Sequence, residues 1–150
     1  IFKLLKFVHD RKYLHRDIKP DNFCMGQDEF SQNVYLIDYG LSKRFIKEST
    51  GLHIPIEYGS AFVGSIRYCS LNVNRGLTPS RRDDCESVLY MLAEFGAGDL
   101  PWSYRLNGPN VMKQVTDIKS AVSPQQLAHN MPSEFALLFQ YVLSLQFEDR

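Results

Sequence analysis

Four polar residues near the beginning of the chain have the types and the order that phosphoryl transfer needs. Asp17 offers a carboxylate that could accept the proton of a substrate hydroxyl, and Lys19 offers a compact positive charge for the moving phosphoryl group. Asn22 and Asp38 offer hard oxygen ligands of the kind that Mg²⁺ prefers. Such a reaction asks a protein mainly to position groups and to neutralise charge. The alternative interpretation is that both aspartates are solvated loop residues.

These residues belong to two motifs in a fixed order. Residues 15–22 read HRDIKPDN, which fits the pattern H-R-D-x-x-x-x-N, and residues 38–40 read DYG, a variant of D-F-G. Together the two motifs form the catalytic-loop and metal-binding signature of protein kinases. The chain therefore resembles a protein kinase, and the lysine at position 19 is similar to that of the serine/threonine kinases.

The resemblance implies supporting roles for several neighbours. His15 is expected to pack behind the DYG triplet rather than to transfer protons. Arg16 is expected either to meet a phosphate on the activation segment or to form a structural ion pair. Tyr39 replaces the usual phenylalanine before Gly40, and its hydroxyl needs a partner if it is buried. Cys24 stands where kinases place an apolar residue beneath adenine, a place that a cysteine can fill as a small hydrophobe.

Four further segments narrow the resemblance to the casein kinase 1 superfamily. They are residues 64–72 (GSIRYCSLN), 80–87 (SRRDDCES), 98–102 (GDLPW) and 131–135 (MPSEF). The first of them replaces the Ala-Pro-Glu that ends the activation segment of most kinases. Two branches of the superfamily remain open. The HIP at residues 53–55 is similar to casein kinase 1 proper, whereas the MLAEF at 91–95 and the HNMP at 129–132 are similar to tau-tubulin kinases.

The superfamily resemblance implies roles for three more residues. Ser65 stands where kinases keep a hydroxyl bonded to Asp17 and Lys19, so it is expected to orient the substrate. Asp84 is expected to accept hydrogen bonds from the backbone of the catalytic loop. Arg67 matches an arginine that binds an anion, and a structural arginine is an equal alternative.

Two departures from the superfamily pattern concern this anion site. Asp99 stands where the pocket has a small residue, and it adds a negative charge. Arg105 is displaced from the usual place of the pocket's lysine. Both departures argue against a preference for acidic or prephosphorylated substrates.

Composition gives no sign of binding to nucleic acid or to membranes. The 150 residues include 17 Lys and Arg and 17 Asp and Glu, so the bulk charge is balanced. The most apolar run, residues 87–95, is too short to cross a bilayer. Cys24, Cys69 and Cys85 are odd in number and far apart, which favours reduced thiols in an intracellular protein, cytoplasmic or nuclear.

The hydrophobic pattern predicts a mainly α-helical protein, α+β overall, with one small hairpin. Apolar residues at helical spacing predict helices over residues 1–9, about 80–96 and 132–145, with Leu89 and Leu138 in the core. A short helix is also expected over residues 110–120, after Asn107, Gly108 and Pro109. Gly96 and Gly98 are predicted to stop the helix over residues 80–96. Short apolar runs predict paired strands at residues 23–25 and 34–37. Residues 38–79 show no sustained period.

Together these features predict the C-terminal lobe of a protein kinase over residues 1–150, without the N-terminal lobe. The catalytic loop is expected at 13–25, the activation segment at 38–72 and the central helix at about 80–96, followed by C-terminal helices. The resemblance implies a monomeric serine/threonine kinase that uses ATP and Mg²⁺ on protein substrates. No glycine-rich loop or strand lysine for the nucleotide is found, so we expect the chain by itself to be nearly inactive. The alternatives are a pseudokinase scaffold and a phosphoprotein-binding module.

Overall fold

The computed structural model describes residues 1–105 and 107–149, which form a mainly helical fold with short strands. In chain order, the helices of this part are α1 (Phe2–Asp10), α2 (Leu71–Asn74), α3 (Arg81–Ala97), α4 (Val111–Ala121), α5 (Pro124–Leu127) and α6 (Ser133–Ser144). The strands are β1 (Tyr13–Leu14), β2 (Phe23–Met25), β3 (Val34–Leu36) and β4 (Lys43–Arg44). The predicted class, a mainly α-helical fold with one small hairpin, is confirmed.

The strands form two antiparallel pairs. The predicted hairpin is β2 with β3, in which Phe23 lies opposite Leu36 and Cys24 opposite Tyr35. The second pair, β1 with β4, was not predicted, because a two-residue strand leaves no periodic signal in the sequence. Both pairs flank the loop that follows β1, and they fix the two ends of that loop.

Helix α3 is the central element. It begins where the backbone N–H of Ser80 donates to Asp83 Oδ2 at 2.6 Å. It ends at Gly98, whose φ of 85° is in the left-handed region that glycine adopts without a steric cost. The prediction that Gly96 also stops the helix was wrong. Gly96 lies inside α3 and faces Met131, whose Cγ would be 2.8 Å from a Cβ at position 96.

Two apolar clusters pack on α3. The larger one joins α3 to α4 and α6, and its most buried members are Leu89, Trp102, Val115 and Phe139. Leu138 is partly buried against this cluster, at the margin of the core in which it was predicted. The smaller cluster consists of Leu5, Val8, Ile18, Leu36 and Val88. It ties α1, β3 and the loop after β1 to α3, so the core itself positions that loop.

The long segment over residues 38–79 is mostly irregular, as the missing period predicted. Besides β4 and α2 it contains isolated bridges between Ile46 and His53 and between Tyr58 and Leu77. The segment therefore lies over the helical core without a sheet or long helix of its own.

None of the helices in the described part of the chain combines the length and the hydropathy needed to cross a membrane.

Candidate active site

Asp84, in the first turn of α3, holds the backbone of the loop after β1. Its carboxylate accepts hydrogen bonds from the backbone N–H groups of His15 at 2.8 Å and Arg16 at 2.9 Å. His9 Nε2 lies 2.9 Å from the same carboxylate. Asp84 is 3% exposed, so these bonds form away from water, where charge-assisted hydrogen bonds are strong. They hold Arg16 in a left-handed conformation with φ 68°, which side-chain-bearing residues rarely adopt.

Asp17 is the meeting point of three side chains. Its Oδ2 accepts a hydrogen bond from Lys19 Nζ at 2.6 Å, and its Oδ1 accepts one from Ser65 Oγ at 2.8 Å. The side-chain nitrogen of Asn22 donates to the backbone oxygen of Asp17 at 2.8 Å. The structure thus brings four of the predicted site residues into direct contact.

Lys19 and Asp17 are both charged at neutral pH. Burial alone would raise the pKa of Asp17, but the hydrogen bonds from Lys19 and Ser65 and the charge of Lys19 lower it overall. The hydrogen bond to Asp17 raises the pKa of Lys19 against the effect of its own burial. The site therefore offers an ionised carboxylate next to a permanent positive charge.

The hairpin brings Asp38 next to Asn22. The backbone N–H of Ile37 donates to the backbone oxygen of Asn22 at 2.9 Å, and Asp38 is the next residue along the chain. Asp38 has φ 61° and accepts a hydrogen bond of 3.2 Å from the N–H of Gly40. Its negative charge contributes to the raised pKa of Lys19, which places the carboxylate within electrostatic reach of that ammonium.

Asn22 and Asp38 fit a magnesium ion by their donor chemistry. The amide nitrogen of Asn22 is held by Asp17, which leaves the amide oxygen for a cation, and Asp38 is exposed, with one carboxylate oxygen accepting the N–H of Gly40. Mg²⁺ is commonly bound by one or two carboxylates together with phosphates and water. Among residues 1–105 and 107–149, no group of three or more His, Cys, Asp and Glu could hold a metal alone.

The residues around the DYG triplet pack behind this cluster. His15 is fully buried, its Nε2 lies 3.0 Å from the Ile37 oxygen, and its ring is 5.1 Å from that of Tyr39. Tyr39 is 46% exposed, so its hydroxyl does not require a buried partner. Arg16 Nε donates to the Leu41 oxygen at 2.6 Å. The side chains of His15 and Arg16 thus hold the backbone on both sides of the triplet.

Cys24 lies apart from the cluster formed by Asp17, Lys19, Asn22 and Ser65. It stands on β2 opposite Tyr35, and both side chains are exposed. On the same face, Tyr35 is 44% exposed and Ile37, two residues further on, is 40% exposed, so this face of the hairpin is an open apolar surface. The contact of Cys24 with adenine stays a prediction.

Ser65 reaches the catalytic loop because Gly64 lies directly against it. A Cβ at Gly64 would come within 2.4 Å of the Arg16 backbone oxygen, and the φ of 96° also favours glycine. After Ser65 the chain turns sharply, since the N–H groups of Tyr68 and Cys69 both donate to the Ser65 oxygen.

Arg67 faces two carboxylates rather than an open pocket. Its Nε donates to Glu94 Oε1 at 2.8 Å, and its Nη2 contacts Glu94 and donates to Asp99 Oδ1 at 2.6 Å. Tyr68 donates its hydroxyl to Glu94 at 2.6 Å, and Trp102 Nε1 donates to the Arg67 oxygen at 2.7 Å. Burial opposes the charge of Arg67, but Glu94 and Asp99 raise its pKa overall. This geometry favours the structural alternative for Arg67.

Glu94 was not singled out from the sequence. It follows the buried Tyr90 by four residues and Met91 by three, so it lies next to a buried face of α3. The sequence signal that could have identified Glu94 is an acidic residue three and four positions after apolar residues of the same helix. Its partner Arg67 could not be inferred, because 27 residues separate the two.

Comparison with protein-family models identifies the class to which this fold and site belong. The family model for the protein kinase domain matches residues 1–150. The chain belongs to the protein kinase family.

Proposed function

We propose that this chain is the C-terminal lobe of a serine/threonine protein kinase of the casein kinase 1 superfamily. In the full-length protein it transfers the γ-phosphate of ATP to serine or threonine hydroxyls of protein substrates. The observation that carries the proposal is the contact of Asp17 with both Lys19 and Ser65. A carboxylate in contact with an ammonium and a hydroxyl supports the proposal, because transfer of a phosphoryl group to a substrate hydroxyl would use these three groups.

Asp17 acts on the substrate hydroxyl in this proposal. Its carboxylate accepts the hydroxyl proton as the oxygen forms a bond to the γ-phosphorus and the bond from that phosphorus to ADP breaks. Lys19 Nζ lies 2.6 Å from the Asp17 carboxylate, so the ammonium would interact with both that carboxylate and the phosphoryl oxygens. Ser65 keeps the other carboxylate oxygen in place.

Asn22 and Asp38 would hold Mg²⁺, which supplies positive charge to the phosphate oxygens when it is bound. Their side chains provide an amide oxygen and a carboxylate. The backbone bond between Ile37 and Asn22 fixes the spacing of the two ligands.

The substrate preference follows from the charge around Arg67. The two carboxylates of Glu94 and Asp99 exceed the single charge of Arg67, so the ion-pair cluster carries one net negative charge. A phosphate or an acidic side chain of a substrate would have to displace Asp99 or Glu94 from the guanidinium. We infer that substrates need no priming phosphate at this position, and a phosphoprotein-binding role through Arg67 is disfavoured for the same reason.

The experiment that tests the function uses the full-length protein and the variant Asp17→Asn. We expect transfer of phosphate from ATP to protein serine or threonine, and a loss on the order of 100-fold or more in kcat for the variant. Asp28→Asn is the matched control, because Asp28 is an exposed aspartate outside the loop that carries Asp17. Wild-type rates in Asp17→Asn would contradict the role of Asp17. A full-length protein that binds ATP without transferring phosphate would favour the pseudokinase alternative.

A further inference from the structure

Lys119 of α4 is a buried cation whose hydrogen-bond acceptors all belong to residues outside α4. Its Nζ donates to the backbone oxygens of Ile66 at 3.0 Å and Cys69 at 2.6 Å, and to Asn74 Oδ1 at 2.9 Å. Lys119 is 5% exposed. An ammonium has three N–H donors, so these three acceptors use all of them.

The surroundings of Lys119 suit a cation without water. Its Nζ lies 5.0 Å from the ring centroids of both Tyr90 and Trp102, over their faces. The buried Glu86 of α3 adds a negative charge to the same region, while its carboxylate accepts hydrogen bonds from the N–H of Leu71 and the hydroxyl of Tyr90. Lysine is rarely buried to this extent unless it is paired. The site is therefore organised around the ammonium.

The segment that Lys119 holds is the one that carries Ser65. Residues 66–70 form neither a helix nor a strand, so their carbonyl groups lack the partners that regular structure supplies. Ser65 bonds Asp17 at one end of this turn. Lys119 binds the carbonyl groups of Ile66 and Cys69 within it.

We propose that Lys119 is a positioning residue for the protein substrate, which acts by fixing the turn that places Ser65 beside Asp17. It touches none of the reacting atoms. The inference rests on the proposed kinase function and adds a residue to it. Because the predicted metal ligands Asn22 and Asp38 lie on the hairpin side of the catalytic loop, Lys119 controls the binding of the substrate polypeptide and not that of the nucleotide.

Replacing Lys119 with methionine separates this role from a general contribution to folding. Methionine keeps the length of the side chain and an apolar stem, and it removes the cost of burying a charge. It also leaves the oxygens of Ile66, Cys69 and Asn74 without their donor. We therefore expect the turn to loosen locally while the core around α3 stays folded.

The test compares Lys119→Met with the wild type in the full-length protein, by hydrogen exchange and by steady-state kinetics. Amides of residues 66–71 should exchange on the order of tenfold faster in the variant, with unchanged exchange in α3. The KM for a protein substrate should rise on the order of tenfold, while the KM for ATP stays within about twofold. Lys113→Met is the control, because Lys113 lies on the same helix with 80% of its side chain exposed.

Asn74→Ala is the second variant. It removes one acceptor of the ammonium and leaves Lys119 in place, so it should shift exchange and substrate KM in the same direction by a smaller factor. It decides the question if Lys119→Met does not fold. Unchanged exchange over residues 66–71, or equal changes in the KM values for substrate and ATP, would overturn the proposal. Hydrogen exchange does not depend on catalysis, so an inactive wild type would contradict the kinase function without deciding the role of Lys119.

Discussion

Asp84 Oδ2 accepts a hydrogen bond of 2.8 Å from the backbone N–H of His15, across 69 residues of sequence. The other oxygen of the same carboxylate accepts the N–H of Arg16. One side chain at the beginning of α3 therefore fixes two consecutive backbone groups immediately before Asp17. The position of Asp17 is therefore set by α3, the helix on which both apolar clusters pack.

Asp84→Asn should lower both stability and activity. The amide replaces one acceptor oxygen by an NH₂ group, which cannot accept the N–H of His15 or Arg16. We expect a loss of about 1–3 kcal/mol in the free energy of unfolding. We also expect a fall in kcat/KM on the order of 100-fold, because the loop that carries Asp17 shifts. Denaturant unfolding and steady-state kinetics measure the two effects. Asp117→Asn, with a side chain 64% exposed on α4, should change neither.

Asp38→Asn should weaken the response to Mg²⁺ without unfolding the protein. Asp38 is exposed and its carboxylate accepts one hydrogen bond, from the N–H of Gly40. The neutral amide is a poorer ligand, so the Mg²⁺ concentration for half-maximal activity should rise on the order of 10–100-fold. Titration of activity with Mg²⁺ measures the effect. Asp28→Asn, in the exposed turn of the hairpin, is the control, and an identical titration for Asp38→Asn would remove Asp38 from the metal site.

The double variant Glu94→Gln and Asp99→Ser should create a preference for acidic substrates. It changes the net charge of the cluster from minus one to plus one and frees the guanidinium of Arg67. We expect kcat/KM for an acidic peptide to rise on the order of tenfold relative to a neutral peptide, since a charge-assisted pair in a partly buried site contributes about 1–2 kcal/mol. High salt should reduce the gain. Asp117→Ser changes the charge elsewhere and should not alter the ratio of the two peptides.

Lys119 should make stability increase with pH in the alkaline range. Burial lowers its pKa to about 8, against 10.5 for an exposed lysine. Between these values the unfolded chain retains a proton that the folded chain has released, so the contribution of Lys119 to the free energy of unfolding rises with pH. The total rise is on the order of 3 kcal/mol.

The comparison with Lys119→Met isolates this effect from its neighbours. Burial raises the pKa values of Cys69, Glu86 and Tyr90, which face the same ammonium, so their contributions fall as pH rises. Denaturant unfolding of both proteins at about pH 7.5 and about pH 10 gives the difference between them. Relative to the variant, the wild type should gain stability at the higher pH, and an unchanged difference would contradict the expectation.

The local features of the fold could be predicted from the sequence because they repeat at short range. Apolar residues at helical spacing predicted α1, α3 and α6, and the preceding turn residues indicated α4; each predicted end lies within one residue of the observed end. A pair of short apolar runs predicted the hairpin. The error at Gly96 shows the limit of local signals. A glycine also serves where another side chain, here that of Met131, packs closely against a helix.

The features that could not be predicted depend on contacts between distant parts of the chain. Lys119 lies on a buried face, four residues after the fully buried Val115, so its spacing signalled burial. Its acceptors at Ile66 and Cys69 are 53 and 50 residues away, and they are backbone oxygens that carry no residue-specific signal. The proximity of Lys19 and Asn22 to Asp17 was expected, because these residues lie within one short motif, whereas the roles of the three residues stay predictions.

Gly64 sets the separation between two loops that otherwise share no regular structure. Gly64 packs against the backbone carbonyl of Arg16, and a Cβ at position 64 would lie only 2.4 Å from the Arg16 oxygen. The two backbones are therefore in direct contact at this point, and this contact brings Ser65 close enough to bond Asp17. A methyl group at position 64 would push the two loops apart and break the hydrogen bond between Ser65 and Asp17. The helices that pack behind the loops would stay folded.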